Sequence, residues 1–208
     1  EGHPYARALN RMGYHAVVVY YRVREQAAFP NPQDDLARAV REVLSHARDW
    51  KLDTTGYSLW GSSAGGHLAG SFGTESMGYK HYHLPKPGAI ILSYPVVSMG
   101  EKAHPGSRNF LLGPHPTQDQ IQKTSLECHI TPAYPPTFLW WGDKDECVDP
   151  DNSRMLQAAL EANHIPCQCR EYPNVTHGVG LGRSLPCEGW FKDAVVFWET
   201  VTRETKQM

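Results

Sequence analysis

Tyr57-Ser58-Leu59-Trp60-Gly61-Ser62-Ser63-Ala64-Gly65-Gly66-His67-Leu68-Ala69-Gly70 decides how the chain is read. Its centre, Gly61 to Gly65, has the form G-x-S-x-G. A short apolar run precedes it, and small residues able to open a closely packed helix follow it. Strand, sharp turn and helix in that order raise a serine hydroxyl above the edge of a sheet. The serine is held in a strained backbone conformation. Glycines are expected on both sides, Gly61 and Gly65, because side chains there would meet the adjacent strand or helix. The reading makes Ser63 the nucleophile and the N–H of Ala64 a donor to a developing oxyanion.

Two downstream loops carry what such a serine needs. The apolar run Thr137-Phe138-Leu139-Trp140-Trp141 reads as a strand and ends in Gly142-Asp143-Lys144-Asp145-Glu146-Cys147-Val148-Asp149-Pro150. Several acids there can orient a histidine. Cys167 to Tyr172 alternates like a further strand and runs into Pro173-Asn174-Val175-Thr176-His177-Gly178, which places His177 on a loop as a general base. Serine, acid and histidine in this chain order match one arrangement of the catalytic triad.

With these segments in view, the chain resembles the acetyl esterase and acetyl-xylan-esterase-like branch of the α/β-hydrolases, related to the hormone-sensitive-lipase group. The resemblance rests on GSSAGGHLAG (61–70), SYPVV (93–97), PPTFLWWGDKDECVDPDNS (135–153) and YPNVTHGVGLG (172–182). It implies an α/β fold, a mostly parallel sheet flanked by helices with a small cap insertion. The family spacing of glycine, two residues, aspartate, two residues and valine selects Asp145 over Asp143 and Asp149. The implied activity is hydrolysis of short-chain acyl esters, above all acetyl, on a small molecule or an oligosaccharide. It proceeds through Ser63, Asp145 and His177 without cofactor or metal. A serine peptidase of the prolyl-oligopeptidase kind shares the turn and triad order and stands as the alternative, with a non-catalytic hydrolase-fold fragment behind it.

The resemblance also implies a His-Gly-Gly loop ahead of the first large helix, and no such motif is present. Gly2-His3-Pro4 does not replace it, since proline has no N–H. The chain opens at Glu1 directly in what reads as that helix, Pro4 to Gly13, with Ala6, Leu9 and Met12 on one face. The family fold would set one more strand between the run Ala16–Val23 and the strand before Ser63. Without it two strand edges stay unpaired. The expectation is therefore one domain over residues 1–208 that is N-terminally incomplete, or completed by a second chain.

Composition narrows the function classes. The chain has 208 residues, 40% of them hydrophobic, and a net charge of −2, which suits one globular domain with a sizeable core. There is no basic stripe with interleaved aromatics, so nucleic acid is not an expected partner. No apolar run approaches the ~20 residues that span a bilayer. Five cysteines are present, and Cys167 and Cys169 are read as facing opposite sides of a strand. The expectation is reduced thiols and a cytoplasmic setting. His81-Tyr82-His83 lacks a carboxylate or thiol at ligand spacing, and residues 61–66 lack the Lys-Ser/Thr of a phosphate loop.

Elsewhere strands and helices alternate, as in a parallel sheet. Ala16 to Tyr21 and Ala89 to Tyr94 read as buried strands. Asn31 to Asp49 reads as a helix buried through Leu36, Val40, Val43 and Leu44, and Val148 to Asn163 as loop then helix. Cys187 to Arg203 reads as a closing amphipathic helix. Residues 95–135, crowded with prolines and glycines, read as an irregular insertion that caps the site. His67 is expected to pack near the site, and Ser62 to point away from it.

Overall fold

The computed structural model describes residues 1–207, with side chains through Glu204. Four parallel strands form the sheet in the order β1 (Ser58–Ser62), β2 (Ala89–Ser93), β3 (Thr137–Gly142) and β4 (Cys167–Tyr172). Every residue of β2 and β3 is buried. Such continuous apolar runs belong to parallel strands covered on both faces.

The covering helices follow from strand alternation. Neighbouring residues on a strand point to opposite faces. Trp60 meets Phe191 at a ring distance of 5.0 Å, while a Cβ at Gly61 would lie 2.9 Å from Ala69. Thus α7 (Trp190–Gln207) covers one face and α3 (Ser63–Phe72) the other. On the α7 face, α1 (Gly2–Arg11) joins through Tyr5, whose ring lies 5.4 Å from that of Trp190. On the α3 face, α2 (Asn31–Ser45) seats Leu36, Ala37 and Val40 against Leu68 and Phe72.

Several expectations need correction. In α1 the buried face is Tyr5 and Leu9, four apart, while Met12 is 46% exposed beyond the helix end. Residues 16–21 form no buried strand. They run without ladder hydrogen bonds, and Val17 and Tyr20 are 57% and 80% exposed. The apolar pattern is that of a strand, but a strand exists only where a neighbour accepts its hydrogen bonds. Among the described residues none does, and β1 pairs with β2 alone.

Residues 95–135 are not irregular either. They hold α4 (Pro105–Leu112), α5 (Gln118–Thr124) and a 3₁₀ turn at Leu126–His129. Proline favours the first turn of a helix, where its missing N–H costs nothing, and Pro105 stands there. Thr117 and Gln120 close a reciprocal capping box on α5. The segment returns into the main core through Leu126, Ile130 and Tyr134. The reading of Cys167 and Cys169 is also overturned: residues two apart on a strand share a face, and their thiols interact side by side. All five cysteines are free thiols. α6 (Asp151–Ala162) completes the fold beside β3 and β4.

Candidate active site

All the parallel strands end at one edge of the sheet, and side chains that follow them converge there. Ser63 comes directly after β1, Asp145 three residues after β3, and His177 five residues after β4. His177 Nδ1 lies 2.7 Å from Asp145 Oδ2, and His177 Nε2 lies 2.8 Å from Ser63 Oγ. The structure thus brings together the three residues selected from sequence.

The turn at Ser63 carries the strain its motif implies. Ser63 has φ +55°, a left-handed conformation uncommon outside glycine, between extended Ser62 and the first turn of α3. Gly61 is sterically required: a Cβ there would stand 2.1 Å from the Gly65 carbonyl oxygen. Gly65 is not. The nearest atom to a Cβ there is Tyr21 Oη at 3.7 Å, ordinary contact. The close approach falls instead on Gly66, whose Cβ would come within 2.7 Å of Pro95 Cβ. Beside it the Val96 N–H donates to the Ser63 carbonyl at 3.0 Å, tying the turn to the chain leaving β2. Ser62 turns away, with its hydroxyl 3.0 Å from that of Tyr5. Ala64 lies in the first turn of α3, where backbone N–H groups lack partners within the helix and the dipole favours negative charge.

The acidic loop sorts its carboxylates by geometry. The Asp145 side chain is 1% exposed. One oxygen faces His177, and the other accepts the N–H groups of Cys147 and Val148 at 3.0 and 2.9 Å. Asp143 accepts the Asn174 N–H at 2.6 Å and so pins the next loop. Asp149 pairs with Lys102 at 2.8 Å, half exposed. Gly142 lets the histidine loop cross the end of β3, because a Cβ there would sit 2.0 Å from the Val175 carbonyl oxygen. That crossing brings His177 over Asp145.

His67 sits in α3 behind the turn, buried, with its Nε2–H donating to the Thr124 carbonyl at 2.8 Å. Burial lowers its basicity and the Thr124 bond only partly opposes this, so the ring is held neutral. Two contributors escaped the sequence reading. Asn152 is fully buried at the start of α6. Its oxygen accepts the N–H groups of Val97 and Ser98, both at 3.0 Å, and its amide donates to the Lys102 carbonyl at 2.8 Å. It joins the base of the 95–135 segment to the chain that follows Asp145. Tyr94, directly after β2, has φ +38° and sets its ring 4.8 Å from that of His177. No motif marks Asn152; for Tyr94 the SYPVV stretch was the available signal.

Known proteins share this arrangement of elements. The BD-FAE family profile matches residues 2–160. The chain is 30% identical over 199 residues to the endo-1,4-beta-xylanase B of Butyrivibrio fibrisolvens, covering 91% of this chain and 31% of that protein. It is 29% identical over 205 residues to the acetylxylan esterase of Xylanibacter ruminicola, covering 92% of this chain and 38% of that protein. It spans about a third of the length of these relatives. The crystal structure of the acetyl ester-xyloside bifunctional hydrolase from Caldicellulosiruptor lactoaceticus superposes with a TM-score of 0.87 at 33% identity, covering 95% of this chain and 75% of that one. With the parallel sheet, the strained serine turn and these likenesses together, the chain belongs to the BD-FAE family and has the α/β-hydrolase fold.

Proposed function

We propose that this chain is a serine esterase that removes short acyl groups, acetyl above all, from carbohydrate. The observation that carries the proposal is the unbroken run of hydrogen bonds from Asp145 through His177 to Ser63. Ser63 Oγ attacks the ester carbonyl carbon as its proton passes to His177 Nε2, and the buried Asp145 carboxylate holds the Nδ1–H and steadies the imidazolium. The Ala64 N–H faces the oxyanion. His177 then gives its proton to the departing alcohol oxygen, leaving an acyl group on Ser63. Water, deprotonated by His177, releases the acid.

The substrate class is argued from the relatives, two of which are named for acetyl ester or acetylxylan hydrolysis. Residues 95–135 are proposed to act as a cap over the alcohol half of the substrate, within one domain. Among the described residues β1 pairs with β2 alone, and residues 16–21 carry no ladder hydrogen bonds. The free thiols suit a reducing, cytoplasmic setting. The test compares acetylated xylo-oligosaccharides, 4-nitrophenyl butyrate and a prolyl peptide anilide, with Ser63→Ala as control. Deacetylation that Ser63→Ala abolishes is the expected result. Cleavage of the anilide in preference to the esters would overturn the proposal.

A further inference from the structure

We propose that Tyr94 is a positioning residue for His177, and that its hydroxyl, held between Glu1 and Gly180, fixes the loop that carries the catalytic base. The inference rests on the triad reading above and adds a residue to it.

The starting observation is backbone strain. An aromatic residue at φ +38° is rare, and such outliers persist only where surrounding structure over-determines them. Tyr94 is over-determined at both ends. Its N–H donates to the Trp140 carbonyl at 2.6 Å, and its ring, 1% exposed, stands edge-on to Trp140 at 5.0 Å. At the far end the hydroxyl donates to Glu1 Oε1 at 2.6 Å and accepts the Gly180 N–H at 3.1 Å. A buried phenol resists ionisation, so it reaches the carboxylate as a donor while still accepting from Gly180.

Gly180 lies three residues after His177, in a stretch without regular secondary structure. Its carbonyl accepts the Trp190 indole N–H at 3.0 Å. The histidine loop is thus fastened from β2 through Tyr94, and from α7 through Trp190. His177 spends both ring nitrogens on Asp145 and Ser63, which leaves the tilt of the imidazole to the groups around the ring. Tyr94 is one of them, its ring 4.8 Å from the imidazole in an edge contact with the planes 62° apart. Phenylalanine would fill the same space, so the buried hydroxyl and the carboxylate brought to meet it are what packing alone does not explain.

The test uses Tyr94→Phe, Glu1→Ala, Glu1→Gln and the double variant Tyr94→Phe/Glu1→Ala in the full chain. Acetyl ester kinetics, fluorophosphonate labelling of Ser63 and urea unfolding are read in parallel. Tyr94→Phe and Glu1→Ala are expected to lower kcat and the labelling rate about tenfold, with KM changed less than twofold. Glu1→Gln, which can still accept the hydroxyl, stays near the parent, and the double variant falls no further than either single one. Unchanged kcat in Tyr94→Phe would overturn the inference. So would equal losses in Glu1→Gln and Glu1→Ala, or a kcat loss matched by a rise in KM. If instead Ser63→Ala retained esterase activity, the triad reading itself would fail, a result separable from any outcome at Tyr94.

Discussion

Replacing Asp145 by asparagine isolates what the buried carboxylate does. The loop N–H groups of Cys147 and Val148 both point at Oδ1, so an asparagine must keep its carbonyl oxygen there. Its NH₂ then faces His177 Nδ1. An amide donor at that position forces the imidazole to carry its proton on Nε2, 2.8 Å from Ser63 Oγ, where it can no longer accept the serine proton. The wrong tautomer costs about 10⁴ in kcat, equivalent to about 5 kcal/mol of barrier. The fold should hardly notice, because the two loop N–H groups keep their acceptor. Asp145→Ala removes that acceptor as well, and the buried Val148 N–H left without a partner costs about 1–3 kcal/mol of stability, with less from the part-buried Cys147 N–H. The assay is hydrolysis of 4-nitrophenyl acetate beside urea unfolding. Asp149→Asn serves as control, since its carboxylate is 40% exposed and bound to Lys102. Asp145→Asn within tenfold of the parent, or Asp149→Asn as the damaging change, would show that Asp145 does not orient His177.

Two further outcomes are expected. Gly61→Ala drives a Cβ to 2.1 Å from a backbone oxygen and should cost about 3 kcal/mol or more, whereas Gly65→Ala, with 3.7 Å of room, should unfold at nearly the parent urea concentration; equal losses would contradict the packing described. His67 has its folded basicity lowered by burial, so the unfolded chain takes up the proton first as pH falls. The stability it contributes is complete above the unfolded value near 6.5 and lost below it, at up to about 1.4 kcal/mol per pH unit. His67→Gln keeps a donor for the Thr124 carbonyl and should flatten unfolding free energy between pH 7 and 5; an unchanged slope would be against it.

The site was legible because its parts are local. Each triad residue follows a strand by a few positions, and strand, glycine and chemistry-bearing residue sit in one short quoted segment. What the sequence hid depends on distant partners. The run 16–21 has the composition of a buried strand, yet burial and pairing are set by neighbours far along the chain. The prolines of 95–135 suggest an irregular segment, yet Pro105 starts a helix, because proline's effect depends on which turn it occupies. Gly65 looked like the constrained glycine of the motif, but the constraint lies on Gly66, through Pro95 some thirty residues away. The side on which Cys169 lies relative to Cys167 was fixed by strand periodicity and needed no structure. Asn152 and Tyr94 act through backbone groups brought to them only by the fold.

Every step proposed for this chain depends on Ser63 being the nucleophile activated by His177. Treating the protein with a fluorophosphonate and locating the adduct by peptide mass spectrometry tests it most directly. A single adduct on Ser63 is expected, absent in Ser63→Ala and formed much more slowly when His177 is replaced by alanine. An adduct on Ser62, whose hydroxyl faces Tyr5 at 3.0 Å, or no adduct from protein that hydrolyses acetyl esters, would contradict it.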